Sequence, residues 1–257
     1  MKEFFGWGGY QRAAEGFLSW QHLLFVSCLM AIMITLAVLL GRKYRSEDLS
    51  RKNCVLIGTA ILIDSLELFK IVILCLRSSD PLNWRYELPL FLCSIQLIAI
   101  PLAAFTKGRI KEAALDFVFI FGILGAVLGT YGAGNNYSCY PVLGFDNIIS
   151  GITHSISGFA SLYIGITGMA RMKKKNIPIT FAVLIGFAVC AMIANALLDY
   201  NYMFLVRGDG TPYEVLYALV GGNKFLYPIG VMALFFLYIL AFYGICYLVR
   251  TKRKRAA

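Results

Sequence analysis

Two residues in separate apolar stretches of the chain have side chains suited to nucleophilic chemistry. Cys93 lies in the stretch ELPLFLCSIQLIAIP and His154 in GITHSISGFASLYIGITG. A thiolate is a strong nucleophile, and a histidine within hydrogen-bonding reach can accept the thiol proton, so such a pair supports thioester chemistry. The alternative is structural, because a membrane cysteine is often a small apolar filler and a lone histidine often bonds across helices. Residue type alone leaves both interpretations open.

Ionisable and amide side chains accompany this pair in the same part of the sequence. Asp64, Glu67 and Lys70 are spaced i, i+3 and i+6, which places them on roughly one helical face and predicts an internal Glu67–Lys70 pair. Helical spacing also predicts that Cys93 and Gln96 point the same way. Ionisable groups are expensive inside a bilayer, so they indicate either a functional site or a neutralised pair that joins helices.

Further polar residues lie at the ends of apolar stretches. Asn195 and Asp199 are one helical turn apart and lead into Asn201, while His22 opens the first stretch. An aspartate at a helix end often only caps the helix or faces water. The predicted catalytic residues are Cys93 and His154, and the predicted substrate-binding residues are Glu67, Lys70, Gln96, Asn195, Asp199, Asn201 and His22.

Composition places these residues in a membrane. The chain has 257 residues, of which 59% are hydrophobic, and a mean hydropathy of +0.72, so it has more apolar surface than a soluble domain can bury. Several stretches of about 18 apolar residues or more are each long enough to cross a bilayer as a helix. We predict an all-α bundle of seven transmembrane helices within a single transmembrane domain, residues 1–257. The predicted spans cover residues 22–40, 54–76, 88–105, 113–131, 147–170, 178–199 and 225–249.

The distribution of basic residues indicates the topology. Lys and Arg number 17 in the alternate connections that begin at Arg42 and 6 in the others, with Lys70 inside the second span. The positive-inside rule therefore predicts an outside N-terminus and a cytoplasmic C-terminus. It also explains the formal charge of +10 without nucleic acid. The seven cysteines include no C-x-x-C pair, so neither a zinc site nor a disulfide framework is indicated.

This topology places the polar residues at a common depth. At about 1.5 Å per helical residue, Cys93 and His154 both lie roughly 8 to 10 Å below the outer ends of their spans. The predicted substrate-binding residues fall in the outer half or at the outer rim, while the inner half is almost purely apolar. We therefore expect a polar cavity that opens to the outer leaflet or to the outer water.

Three short motifs resemble a known family. Residues 87–95 (ELPLFLCSI), the triplet 153–155 (THS) and residues 201–205 (NYMFL) are similar to the YwaF-like family of bacterial integral membrane proteins. Eukaryotic relatives of that family include a transmembrane acyltransferase that remodels ether phospholipids. In that enzyme a cysteine of the third span and a later histidine are the proposed catalytic pair, which implies Cys93 and His154 here, 61 residues apart. Phe91 stands where the family's LPLHLC pattern has a histidine, and the stretch after NYMFL is divergent.

The residues and the resemblance together predict a membrane-embedded lipid acyltransferase. It would act on phospholipid or lysophospholipid at an outer-leaflet cavity, in a bacterial cytoplasmic membrane. Cys93 would carry the acyl group with His154 as base, Lys70 would hold the lipid phosphate, and Gln96 or Asn195 would donate to the oxyanion. The expected partners are membrane lipids, with no cofactor, metal or nucleic acid. The alternative is a transporter or a small-molecule or lipid-binding protein that uses the same polar groups, although the chain shows no inverted repeat.

Overall fold

The computed structural model describes residues 2–80 and 82–256, and this part of the chain is all-helical, with no strand. Its α-helices are α1 (Trp20–Tyr44), α2 (Leu49–Arg77), α3 (Gln96–Phe105), α4 (Gly108–Leu128), α5 (Gly134–Cys139), α6 (Phe145–Thr167), α7 (Ile177–Leu198), α8 (Tyr213–Leu219) and α9 (Leu226–Ala256). Short 3-10 segments lie at Asn83–Glu87, Lys174–Asn176 and Tyr202–Phe204. The helices form two compact units, Met1–Ala170 and Arg171–Ala257. The predicted all-α class is confirmed.

Helix α6 is the central helix of the first unit and packs against α1, α2 and α4. Its small residues make this packing close. A Cβ atom added at Gly158 would overlap Met33 of α1 and Ala126 of α4, and one added at Gly165 would overlap Phe119 of α4. Close backbone approach of this kind holds helices together in lipid, where apolar surface alone provides little driving force. Polar side chains on α6 consequently lie near the backbones of its neighbours.

The third predicted span is helical over only part of its length. Residues 88–95 form bends, turns and irregular backbone, and α3 begins at Gln96. Proline disfavours a helical conformation in the residue before it, and Leu88, which precedes Pro89, accordingly has a ψ of 144°. The predicted helical face that joins Cys93 to Gln96 was therefore wrong. Cys93 lies in the turn that precedes the helix.

Within the described residues, three helical stretches are long and apolar enough to cross a membrane. They are Trp20–Tyr44, Lys174–Leu198 and Leu226–Val249, with mean hydropathies of 2.9, 2.5 and 2.3. Helices α2, α4 and α6 are of similar length, but charged and polar side chains such as Glu67 and Asp116 interrupt them. The apolar helices identify an integral membrane protein. The number of seven crossings remains a prediction.

The second unit is built on the two long helices α7 and α9, which contact each other. The hydroxyl oxygens of Thr180 and Tyr243 lie 3.1 Å apart, and the ring centroids of Phe181 and Phe236 are 4.6 Å apart. Helix α8 packs on α9. The basic tail, residues 250–255, on which part of the topology prediction depends, lies largely outside the residues whose side chains the structure describes.

Candidate active site

A small cavity in the first unit collects polar residues from three elements. Its volume is about 50 Å³, which is room for a few water molecules or one ester group but not for a whole lipid. We call it the thiol cavity. Four of the predicted site residues line it, namely Cys93, His154, Glu67 and Lys70. The other lining residues are Ile63 of α2, Ser94 and Leu97 at the start of α3, and Ser150, Thr153 and Ser157 of α6.

The Cys93 thiol and the His154 imidazole interact directly in the thiol cavity. Their side chains are close enough to interact electrostatically. Both residues are half-buried at the cavity wall, so the pair can meet a ligand that enters the cavity. Proton transfer from a nucleophile to a base requires this kind of contact.

Ser150 determines which ring nitrogen of His154 faces the thiol. The Nδ1 atom lies 2.7 Å from the main-chain oxygen of Ser150, one helical turn earlier on α6. A carbonyl oxygen only accepts, so Nδ1 carries the hydrogen and donates it. In the neutral ring the Nε2 atom is then unprotonated, and it is the nitrogen left to accept the thiol hydrogen of Cys93. The imidazole is thus held in the tautomer that a general base needs.

Two glycines of α4 make room for the pair. A Cβ atom at Gly129 would overlap the ring of His154, on the edge that contains Nε2. One turn earlier, a Cβ atom at Gly125 would lie 3.4 Å from the Cβ atom of Cys93. The histidine ring and the cysteine therefore rest on consecutive turns of the same face of α4. A side chain at either position would reduce the space available to the His154 ring and to Cys93.

The turn that carries Cys93 also presents unpaired main-chain donors. Among the described residues, the amides of Leu92 and Cys93 make no main-chain hydrogen bond, whereas that of Ser94 interacts with the Cys93 thiol and that of Ile95 donates to Phe91. The first amides of a helix have no earlier carbonyl to bond, because the helical bonding pattern begins here. The late start of α3 therefore places N–H groups beside the thiol, in an arrangement that can stabilise an oxyanion.

Lys70 is held between two carboxylates at the cavity wall. Its ammonium lies 2.6 Å from Glu67, which confirms the predicted pair, and 3.0 Å from Glu87 in the 3-10 segment that follows α2. Two carboxylates face one ammonium, so a lipid phosphate at Lys70 would also meet two negative charges. This arrangement does not favour the predicted phosphate contact. Sequence reasoning missed Glu87, because a residue in an irregular connection has no helical face to indicate its partner.

Gln96 and His22 are buried but do not line the thiol cavity. Gln96 is fully buried, and neither its amide nitrogen nor its amide oxygen has a partner among the described residues. Both ring nitrogens of His22 bond main-chain groups: the amide of Leu18 donates to Nδ1 at 3.1 Å, and Nε2 donates to the oxygen of Thr130 at 3.1 Å. The ring also stacks on Tyr137, with centroids 3.8 Å apart. These contacts account for the burial of His22 by a structural role.

Three other predicted site residues lie in the second unit and organise its loop. The side chain of Asn195 accepts from the amide of Tyr202 at 2.6 Å and donates to the oxygen of the same residue at 3.1 Å. Asn201 donates to Asp209 at 2.8 Å and accepts from the amide of Val206 at 2.9 Å. Asp199 ends α7 in a left-handed conformation, with φ 49°, and is exposed. A role for Asn195, Asp199 and Asn201 in substrate binding stays a prediction.

The N-terminal segment, residues 2–19, is tied to the ends of α2 and α6. Arg77 donates two bonds of 2.7 Å to Asp146 and a third of 3.1 Å to the main-chain oxygen of Phe5. The Tyr10 hydroxyl donates to Asp146 at 2.6 Å. Burial, followed by this hydrogen bond and the charge of Asp146, raises the pKa of Tyr10 to about 12. Tyr10 therefore stays protonated and keeps this bond over the physiological range.

A second and larger cavity lies beneath this segment. Its volume is about 470 Å³, and we call it the outer cavity. Its lining residues come from the N-terminal segment, from Arg77 at the end of α2, and from Ser138, Cys139 and Tyr140 around the end of α5. None of the predicted site residues lines it. The signals that could have indicated it are the glycine-rich run GWGGY and Arg77 at the end of an apolar stretch.

Comparison with known proteins identifies a family. The model of the TMEM164 family, a family of transmembrane proteins, matches residues 17–248, which include every residue of the thiol cavity. No curated protein and no solved structure matches the chain.

Proposed function

The chain belongs to the TMEM164 family, and on that premise we propose that it is a membrane-embedded lipid acyltransferase with Cys93 as nucleophile and His154 as base. The observation that carries the proposal is that the Cys93 thiol and the His154 imidazole line one cavity and interact there, with the base tautomer held by Ser150. The YwaF-like resemblance of the motifs around both residues supports the same reaction.

The reaction proceeds in two half-reactions through an acyl-cysteine. His154 Nε2 takes the thiol proton while the Cys93 sulfur attacks the ester carbonyl of a donor lipid. The tetrahedral intermediate collapses, its ester C–O bond breaks, and the leaving alcohol takes the proton from Nε2. The hydroxyl of an acceptor, a lysophospholipid or similar alcohol, then gives its proton to Nε2 and attacks the thioester. Cys93 leaves as the thiol after it regains that proton.

The negative oxygen of both tetrahedral intermediates needs donors close to Cys93. The unpaired amide of Cys93 and the Ser94 amide, which faces the thiol, are nearest in the chain, and the Ser94 hydroxyl lies 4.0 Å from the thiol sulfur. These groups support the oxyanion better than the predicted donors Gln96 and Asn195, which do not line the thiol cavity. Main-chain donors that are already in place lower the barrier without reorganisation.

The proposal includes the membrane arrangement that the sequence predicts. Seven crossings with the N-terminus outside would place the thiol cavity in the outer half of a bacterial cytoplasmic membrane, as the 17 to 6 distribution of basic residues supports. A reporter fused after Ala257 should be found in the cytoplasm, and a reporter on the outer side would contradict this orientation.

The decisive experiment measures which cysteine accepts an acyl group. Purified protein is treated with an activated acyl thioester, and each of the seven cysteines is examined by mass spectrometry. Cys93 should be labelled in the wild type and not in Cys93→Ser, and His154→Ala should slow labelling by about 100-fold or more, as loss of a general base does. Cys190→Ser is the matched control, because Cys190 is an exposed free cysteine in an apolar helix. Even labelling of all seven cysteines would refute the proposal.

One observation favours the alternative of transport or small-molecule binding. Glu67 and Lys70 line the thiol cavity with Glu87 behind them, and acyl transfer does not itself require this charged wall. A binding or transport protein should be indifferent to Cys93→Ser, whereas the transferase should lose its activity with the fold intact. Lipid analysis of a strain that lacks the protein separates the two further. Loss of the enzyme should leave its lipid substrate unprocessed, whereas loss of a binding or transport protein should not.

A further inference from the structure

The cations that line the outer cavity are two arginines, each paired with a single carboxylate. They are Arg12 and Arg77, and no carboxylate is among the described residues of the lining. Their counter-charges, Glu15 and Asp146, bond them from outside the lining. The Arg12 side chain is 57% exposed, so most of its guanidinium remains accessible to a ligand. Planar guanidinium groups bind phosphate well, because their paired N–H donors match its oxygens.

Uncharged donors supplement the two arginines. The amides of Ala13 and Ala14, which line the outer cavity, make no hydrogen bond within the described part of the chain. The Tyr140 side chain lines the same space, and its hydroxyl has no bonding partner among the described residues. A phosphate group accepts several such bonds at once. The lining thus combines charge with directed donors, as phosphate sites do.

The outer cavity lies at the right level for the head group of a lipid that reacts in the thiol cavity. Arg77 is seven residues beyond Lys70 on α2, and Asp146 is eight residues before His154 on α6. At 1.5 Å per helical residue, both intervals correspond to roughly 10 to 12 Å. The ester groups of a lipid lie at the inner edge of the head-group layer, which is about 5 to 8 Å thick on each side of a bilayer, so the polar head of a lipid with its ester at the thiol cavity would extend towards the outer cavity.

We propose that the outer cavity binds the phosphate head group of the lipid whose ester reaches Cys93, with Arg12 as the phosphate-binding residue beside the Arg77–Asp146 pair. The identity of that lipid rests on the proposed acyl transfer, but phosphate recognition itself does not. The phosphate contact would then lie at the outer cavity, whose lining cations are both arginine. It would not lie at Lys70, which two carboxylates occupy. The volume of about 470 Å³ suits a polar head group.

The test measures binding of a short-chain phospholipid, dihexanoylglycerophosphocholine, to the full-length protein in detergent, from the rise in Tm with ligand concentration. Arg12→Gln should raise the apparent Kd about tenfold, the effect of losing one charge-assisted hydrogen bond at a partly exposed site. Arg51→Gln is the matched control, because Arg51 is likewise exposed and paired with a nearby glutamate, Glu47, and should leave Kd unchanged. Dihexanoylglycerol, which lacks the phosphate, should give the same weak shift in all three proteins.

The outcomes separate this inference from the proposed reaction. Cys93→Ser should bind the phospholipid like the wild type, so a failed acylation experiment leaves the head-group site standing. An equal Kd for wild type and Arg12→Gln overturns the head-group site even if Cys93 is acylated. An Arg12-dependent shift that inorganic phosphate produces as strongly as the phospholipid assigns the cavity to a soluble phosphate and overturns the lipid assignment.

Discussion

Lys70 and Arg77 lie two turns apart on α2, and carboxylates hold both, yet the two ion groups are built differently. Arg77 meets one carboxylate, Asp146 of α6, through two bonds of 2.7 Å. Lys70 meets two, Glu67 of its own helix at 2.6 Å and Glu87 of the following 3-10 segment at 3.0 Å. The outer group is charge-balanced and joins two helices, whereas the inner group has an excess of carboxylate beside the thiol cavity.

The pair of helices α2 and α6 therefore has a rigid end at Arg77 and an adaptable cavity wall at Lys70. A guanidinium that bonds a carboxylate through two parallel bonds fixes both distance and orientation, so Arg77 sets the spacing between α2 and α6. An ammonium is a point charge on a flexible stem and can shift between two carboxylates. We interpret the Arg77–Asp146 pair as a clamp and the Lys70 group as a wall that can rearrange when a ligand enters.

The largest effect on the acylation of Cys93 is expected at Gly129, where the His154 ring packs closely against the end of α4. In Gly129→Ala the added Cβ atom would overlap the His154 ring, so the ring must leave its position beside Cys93. Acylation of Cys93 by an activated acyl thioester should fall by about 100-fold, since the base is lost. Gly58→Ala in α2 serves as the control, because a Cβ atom there meets nothing within 4 Å. Equal labelling rates for Gly129→Ala and wild type would show that the space at Gly129 is not needed to hold His154 beside Cys93.

The next largest effect concerns the Lys70 group. Lys70→Met leaves Glu67 and Glu87 without their cation, and the free energy of unfolding in detergent should fall by about 4 kcal/mol. Adding Glu67→Gln should restore only part of the loss, because Glu87 remains, and adding Glu87→Gln as well should restore most of it. Equal stability of the single, double and triple variants would show that Lys70, Glu67 and Glu87 do not depend on one another for their contributions to stability.

The Arg77–Asp146 clamp should respond differently, because it contains one carboxylate rather than two. Arg77→Met should lower the free energy of unfolding by about 3 kcal/mol, the typical result of stranding one partner of a buried pair. Here a single second change, Asp146→Leu, should recover most of the loss. If the double variant proves no more stable than Arg77→Met, the distinction between the two ion groups fails.

The smallest effect on the free energy of unfolding is expected at Tyr10, which bonds Asp146 of the clamp. Tyr10→Phe removes one hydrogen bond to Asp146 and should lower the free energy of unfolding by about 1 kcal/mol. The pKa of Tyr10 is raised to about 12, above the ordinary value of 10.0. Its stabilising contribution is therefore complete below pH 10 and lost as the pH rises from 10 towards 12.

The pH dependence of Tyr10 can be isolated by comparison. The free energy of unfolding of the wild type and of Tyr10→Phe should converge over that pH interval, while other tyrosines titrate alike in both proteins. A difference that stays constant from pH 9 to about 12 would show that the Tyr10–Asp146 bond does not titrate as described.

The sequence predicted the meeting of Cys93 and His154 from matching depth in their spans, and the structure brings the two side chains together. The depth of the pair in the membrane stays a prediction. The local geometry was wrong for Cys93, because the helix does not begin until Gln96. The oxyanion donors could not be predicted for the same reason: they exist only because the helix starts at this point.

Polar residues that serve the main chain were the hardest to interpret. His22 and Asn195 were predicted to bind substrate, yet His22 bonds main-chain groups through both ring nitrogens and Asn195 bonds Tyr202. A hydropathy pattern shows that a polar residue lies in an apolar stretch, but it does not show which nearby main-chain groups lack partners. Glu87 and Ser150 were missed because their partners depend on the same irregular backbone and on the rotation of α6.

In the proposed reaction, the turn at residues 88–95 would also set the fate of the acyl intermediate. Main-chain groups without intramolecular partners in a bilayer must be hydrated or lie against a polar ligand. Water that satisfies the amide of Cys93 would stand next to the thioester. The lifetime of the proposed acyl-enzyme would then be a competition between that water and the incoming alcohol, so we expect a slow release of free fatty acid whenever no acceptor lipid occupies the cavity.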